Sequence, residues 1–193
     1  MKSNSILIVI IILLITFEAS SQKKLIEDPS DIKKERVLRS YINVGVGRTS
    51  NYLNIGAGIF FPLDKNILIG PRANVNTELD AFPFKFPLEN IWDINLIVKY
   101  VPFISERFIF LFGAGAGYSI VTKRGNFIRY NFITAEYEKV HSSSVSVLGE
   151  LEVSFLITDN LGINLAGYTL FADNRTFVRY QLGLFLCKII ELK

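Results

Sequence analysis

Six charged residues of this sequence stand opposite the apolar rows of the strands that would carry them: Arg72, Asp93, Lys99, Glu150, Glu152 and Arg179. Glu150 and Glu152 are two apart, so a strand turns both carboxylates to one side. Paired carboxylates beside a cation can work as general acid and base, or carry protons or ions along a path. They can equally form an internal ion-pair network, since charges held away from water need partners. A second pair is His141, the only histidine, and Ser143. On a strand their side chains share a face, as a base and a nucleophile would.

The element that must hold the two glutamates is Ser144 to Ile157. Val145, Val147, Leu151, Val153, Phe155 and Ile157 fall on one parity, while Ser144, Ser146, Glu150, Glu152 and Ser154 fall on the other. This is a two-sided strand, long for a soluble sheet and suited to a tilted membrane crossing. The period-two pattern begins at Tyr41 and predicts eight strands: Tyr41–Arg48, Asn51–Phe61, Asn66–Thr77, Ile91–Phe103, Arg107–Val121, Ser143–Ile157, Leu161–Phe171 and Phe177–Cys187. Tight turns at Pro62–Lys65, Ile104–Glu106 and Thr158–Asn160 alternate with longer links, of which residues 78–90 and 122–142 are the longest. Short turns at one end and long loops at the other fit an up-and-down membrane barrel.

The two faces say which solvent lies where. One parity carries Ile42, Val44 and Val46, then Trp92, Ile94, Leu96, Val98 and Tyr100, then Tyr180, Leu182, Leu184 and Leu186. It is free of Asp, Glu and Lys, and its only Arg is Arg48, at a strand end. Facing lipid at mid-membrane, an Arg or Lys costs about 2–4 kcal/mol, so such a row should carry no charge. Trp92 and Tyr100 bracket their row near the two interfaces, where amphipathic rings settle. The other parity is rich in Gly and Asn, with isolated charges, as the crowded interior of eight strands requires.

In that interior Arg72 lies level with Glu150 and Glu152, Asp93 and Arg179 lie nearer the loop end, and Lys99 lies nearer the turn end. A network joining Arg72 to the two glutamates is the expectation. Residues 78–90 and 122–142, with Phe84 and Phe86 between prolines and Phe127, Tyr130, Tyr137 and Arg129 farther on, are candidate surfaces for an extracellular or envelope partner. Gly125-Asn126 could turn a small hairpin there.

Half of the 193 residues are apolar and 20% are charged, which excludes a disordered chain. Past the N-terminus no apolar run approaches the ~18 residues of a membrane helix. Lys2, the apolar run Ile6–Ile15 and the small residues Ala19-Ser20-Ser21 read as a cleaved signal peptide, residues 1–21, for general secretory export. Residues 22–40 read as a polar periplasmic leader, with a short helix capped by Ser30 or Asp31 and running through Leu38, and residues 41–193 as the barrel. Cys187 is alone, so no internal disulfide forms. A net charge of +3, dispersed, gives no footprint for nucleic acid. No metal-ligand spacing or phosphate loop is present, so no cofactor or metal is expected. A monomer in contact with outer-membrane lipid is.

From Tyr41 to about Cys187 the pattern resembles the small outer-membrane β-barrels of the OmpA transmembrane-domain and OmpX type. That resemblance implies a bacterial outer-membrane location and a structural, adhesive or surface-binding role carried by the loops, without an open pore or a reaction. His141-Ser142-Ser143 also resembles the His-x-Ser pair of the lipid A deacylases, barrels whose reaction site lies on the outer wall. That family needs a Glu to orient the His, and here Glu136, Glu138 or Asp173 would have to serve from loops. A third reading is a soluble exported barrel of lipocalin type holding an apolar ligand.

Overall fold

In the computed structural model the described residues are 35–192, apart from 50–51, 80–83, 87, 132–133 and 173. The proposed signal peptide and most of the leader lie outside them. Nine strands are described: β1 (Glu35–Thr49), β2 (Tyr52–Asp64), β3 (Ile67–Glu78), β4 (Phe84–Phe86), β5 (Asn90–Ile104), β6 (Phe108–Asn131), β7 (Thr134–Leu156), β8 (Leu161–Ala172) and β9 (Arg175–Leu192). Eight of them close a ring in the order β1-β2-β3-β5-β6-β7-β8-β9, every contact antiparallel, with β9 returning to β1. Closure leaves the barrel wall without an edge, which a wall facing apolar solvent cannot tolerate.

The alternation expected from the sequence is present in the wall. Ile42, Val44 and Val46 on β1, and Trp92, Ile94, Leu96, Val98 and Tyr100 on β5, all point outward and are exposed. A continuous exposed apolar band of this kind is untenable in water.

Three elements differ from expectation. β1 begins at Glu35, so residues 35–38 are strand and not the end of a leader helix. Val37 and Leu38 pair with Ile190 and Ile189 of a β9 that runs on to Leu192 instead of stopping at Cys187. Burial of Val37 and Leu38 explains this, since a solvated helix would leave them exposed. Second, residues 122–142 are mostly strand. β6 and β7 keep pairing from Thr122↔His141 up to Asn131↔Thr134, with register shifts around Phe127. Third, β4 lies in the other long link and pairs in parallel with Thr134–Glu136 of β7.

The interior is also less uniformly polar than the sequence suggests. Toward the turns Tyr41 stacks between Phe60 (4.7 Å) and Phe185 (4.8 Å), packed with Leu38, Leu68, Val101 and Ile109. Arg36 donates to the Ser105 carbonyl (3.0 Å) and reaches Asp159 (3.4 Å) in the turns beneath. Apolar packing fills this end and the ion pairs lie above it, with Leu148 and Leu170 buried on their loop side.

Candidate functional site

The lumen gathers the six charges named from the sequence, and all six are buried. Three are cations and three are carboxylates, so the cluster balances. β7 supplies Glu150 and Glu152 on its inner parity, and β3 and β5 bring Arg72 and Lys99 in from across the ring. Arg72 Nη1 donates to Glu150 Oε1 at 2.7 Å, and its Nε donates to Asn74 at 3.3 Å. Its Nη2 donates to Gln181, and the guanidinium lies 5.0 Å over the Tyr168 ring. Gly56 keeps this corner open, because a Cβ there would collide with Asn74 Oδ1 and Gln181 Nε2.

Lys99, not Arg72, is what joins the two glutamates. Its Nζ donates to Glu152 Oε2 at 2.6 Å and sits 3.0 Å from Glu150 Oε2, off the hydrogen-bonding direction. Glu152 also accepts from Tyr41 (3.2 Å), Asn43 (3.1 Å) and Asn164 (2.7 Å). Taking each ion out of water costs several kcal/mol, which only a full set of donors offsets. Glu152 has such a set. Lys99 is further covered by the faces of Phe60 (4.2 Å) and Tyr41 (5.2 Å).

Asp93 and Arg179 form a second cluster nearer the loops. Arg179 Nη1 donates to Asp93 Oδ2 at 2.6 Å, while Asn74 and Asn95 each donate to Oδ1 at 2.8 Å. The Arg179 guanidinium lies between the rings of Tyr168 (5.7 Å) and Phe177 (5.8 Å). Its Nε and Nη2 have no hydrogen-bond acceptor among the described residues. Tyr168 touches both clusters, its hydroxyl against Asn54 and Asn74. Tyr168 and Tyr41 were not among the candidates from sequence, although each shares the inward parity of a polar residue on its own strand, Asn164 for Tyr168 and Asn43 for Tyr41.

His141 and Ser143 both point outward on β7. His141 Nδ1 is hydrogen-bonded to Thr122 Oγ1 at 3.1 Å, the residue opposite it on β6. Among the described residues no carboxylate is hydrogen-bonded to His141, and Ser143 is not either. Glu136 pairs instead with Arg129 at 2.5 Å and Glu138 with Asn126 at 3.3 Å. Asp173 lies outside the described residues. Trp92 and Tyr100 stand on the outer wall, toward the loop end and the turn end of β5.

The part of β6 and β7 beyond Thr122 and His141 leaves the ring, since β5 pairs with β6 no farther than Thr122. It carries exposed Phe127, Ile128, Tyr130 and Val140, with Phe127 edge-on to Tyr137 at 5.5 Å. Its root is fixed by Arg124, whose two terminal nitrogens donate to the two oxygens of Glu78 at 2.7 and 2.6 Å. Tyr52 donates to Glu89 in the same corner at 2.9 Å. At the exposed part of the hairpin the Arg129 bond holds the Glu136 carboxyl below its ordinary value.

No family model matches the sequence, and no curated relative does. Solved structures do match. The N-terminal β-barrel domain of Pseudomonas aeruginosa OprF is 12% identical over 80% of this chain and 100% of its own, with a TM-score of 0.57. Neisserial surface protein A is 8% identical over 78% of this chain and 96% of its own, with a TM-score of 0.54. Ail, the attachment invasion locus protein of Yersinia pestis, is 11% identical over 81% and 100%, with a TM-score of 0.50. At such identities the likeness is one of fold, and the fold is the closed eight-stranded antiparallel barrel of small outer-membrane proteins.

Proposed function

We propose that this chain is a bacterial outer-membrane anchor whose working part is the projecting β6–β7 hairpin with β4 beside it, a surface-binding device without a pore or a reaction. One observation carries the reading. The buried charges of the lumen are engaged with one another, while the hairpin presents Phe127, Ile128 and Tyr130 to the outside. Exposed aromatics beside arginine are the side chains that dominate protein contacts. A lumen filled by side chains leaves little room for conduction. The apolar outer band and ionic lumen are the reverse of what a soluble carrier of apolar ligands needs, which disfavours the lipocalin-like reading.

Against an esterase stands the His141 ring, bonded to a threonine where a carboxylate would be needed to orient it. Fold alone assigns no role. The test has two parts. The full chain should fractionate with outer membranes and migrate differently on gels before and after boiling, and heat-independent migration from a soluble fraction would sink the reading. His141→Ala and Ser143→Ala should leave lipid A acylation unchanged by mass spectrometry; loss of a deacylated species in either variant would restore the enzyme.

A further inference from the structure

The outward parity of β7 changes character twice on the way up from the membrane. Val145 is its last apolar residue in the wall, Ser143, His141 and Lys139 follow, and Tyr137 is next. The register shifts above Thr122 add residues to β6 and none to β7, so this parity runs unbroken toward the tip. Phe127 stands opposite Tyr137 and edge-on to it, and Tyr130 stands opposite Ala135, on the same face. A second apolar tier therefore sits above a polar belt. Its side chains are as open as those of the wall: Phe127, Ile128 and Tyr130 are 56%, 61% and 59% exposed, against 56%, 58% and 57% for Trp92, Ile94 and Leu96.

An exposed apolar tier of this kind marks a contact with another apolar phase. The surrounding membrane does not supply it. From Val145 to Tyr137 is about 26 Å along the strand, or about 19 Å of height at a 45° tilt. The headgroup layer is only roughly 5–8 Å deep on each side of a bilayer. Residues 78–90 also brace the hairpin from both edges, through Glu78 and Glu89 on Arg124 and through β4 on Thr134–Glu136. A protein contact would add hydrogen bonds to the apolar ones, about one per 100–200 Å². Here Arg129 and Glu136 already satisfy each other, and the two strands pair backbone to backbone as far as Asn131 and Thr134. Amphipathic rings on a hydrogen-bonded hairpin are what a bilayer interface accepts.

We infer that the hairpin tip inserts Phe127, Ile128 and Tyr130 into the interface of a second bilayer, one of zwitterionic lipid facing the cell surface. The inference rests on the surface-binding reading and names its partner. Full-length protein in nanodiscs is mixed with phosphatidylcholine vesicles, and vesicle-bound protein is separated by flotation. The parent chain should float with the vesicles. Phe127→Ser should lower the partition about tenfold, the effect of losing one large buried apolar side chain, and Tyr130→Ser should act in the same direction. Because Arg129 and Glu136 cancel, replacing part of the phosphatidylcholine by phosphatidylglycerol should leave the partition unchanged. A retained heat-dependent gel shift shows that the ring of each variant is intact. Absence of the parent from the floated fraction overturns the inference, as does binding that survives both changes or that needs phosphatidylglycerol. Capture of a soluble extracellular protein by the same residues, without vesicle binding, would keep the surface-binding reading and remove the bilayer.

Discussion

Glu152 and Glu136 are the same side chain on the same strand, and the structure uses them in opposite ways. Glu152 is sealed in the lumen with four donors from three other strands. Glu136 lies on the projecting hairpin with one arginine from the neighbouring strand. In the lumen both halves of the ion pair are buried, so removing either one leaves a charge short of its best-aligned partner. On the hairpin water replaces whichever half is lost. Equal-looking pairs therefore differ in consequence: those inside tie strands across the ring, and those outside can be lost without leaving a buried charge.

The sharpest way to break this comparison is Glu152→Ala. It strands Lys99, whose other carboxylate contact is poorly aligned, and leaves Tyr41, Asn43 and Asn164 unmatched. Equilibrium unfolding in urea, followed by the heat-dependent gel shift, should show a loss of about 3–5 kcal/mol. Adding Lys99→Met should recover part of it, since an apolar replacement of both partners is often tolerated. No recovery would mean that the pair is not the coupled unit.

A charge on the wrong face comes next. Leu96→Arg, at the middle of the outer row of β5, should cost about 2–4 kcal/mol in lipid and reduce the folded fraction. If it folds as well as the parent chain, the outer band does not face hydrocarbon.

Much of this was readable because alternation survives wherever one face is polar. Ser146, Glu150, Glu152 and Ser154 declare the inner face of β7 unaided. Where both faces are apolar the signal vanishes. Along Ile59-Phe60-Phe61 composition alone gives no cue, and only the parity carried down from Asn54 and Gly56 turns Phe60 inward. Partners across the ring were beyond reach for another reason. Residues at one strand height meet only through the tilt and stagger of closure, so which cation joins the glutamates, Lys99 or Arg72, could not be read from spacing. The hairpin past Thr122 was obscured by its register shifts and by Gly125, which break the period-two rhythm.

Replacing residues 126–137 by a short turn should sharpen the comparison from the other side. That segment lies beyond the ring and adds nothing to its closure, so the unfolding free energy should stay within about 0.5 kcal/mol of the parent, as for surface changes generally. A partner that binds whole cells through the hairpin should lose its affinity. A barrel that fails to form without the segment would make the hairpin part of the folding unit.

The smallest effect belongs to Arg129→Ala. Glu136 has its carboxyl pKa lowered first by the hydrogen bond from Arg129 and further by its charge. A carboxylate whose folded pKa is depressed contributes above its ordinary range and loses that contribution as pH falls through the lowered value. The pair should therefore hold the two hairpin strands together at neutral pH and release them only in acid. Nuclear magnetic resonance titration of the Glu136 side-chain carbon should show its midpoint rising toward the ordinary range in the Arg129→Ala chain. Global unfolding should not change measurably, because both side chains remain hydrated. An unmoved midpoint would mean that solvent already screens the pair and that both charges are free for an outside partner.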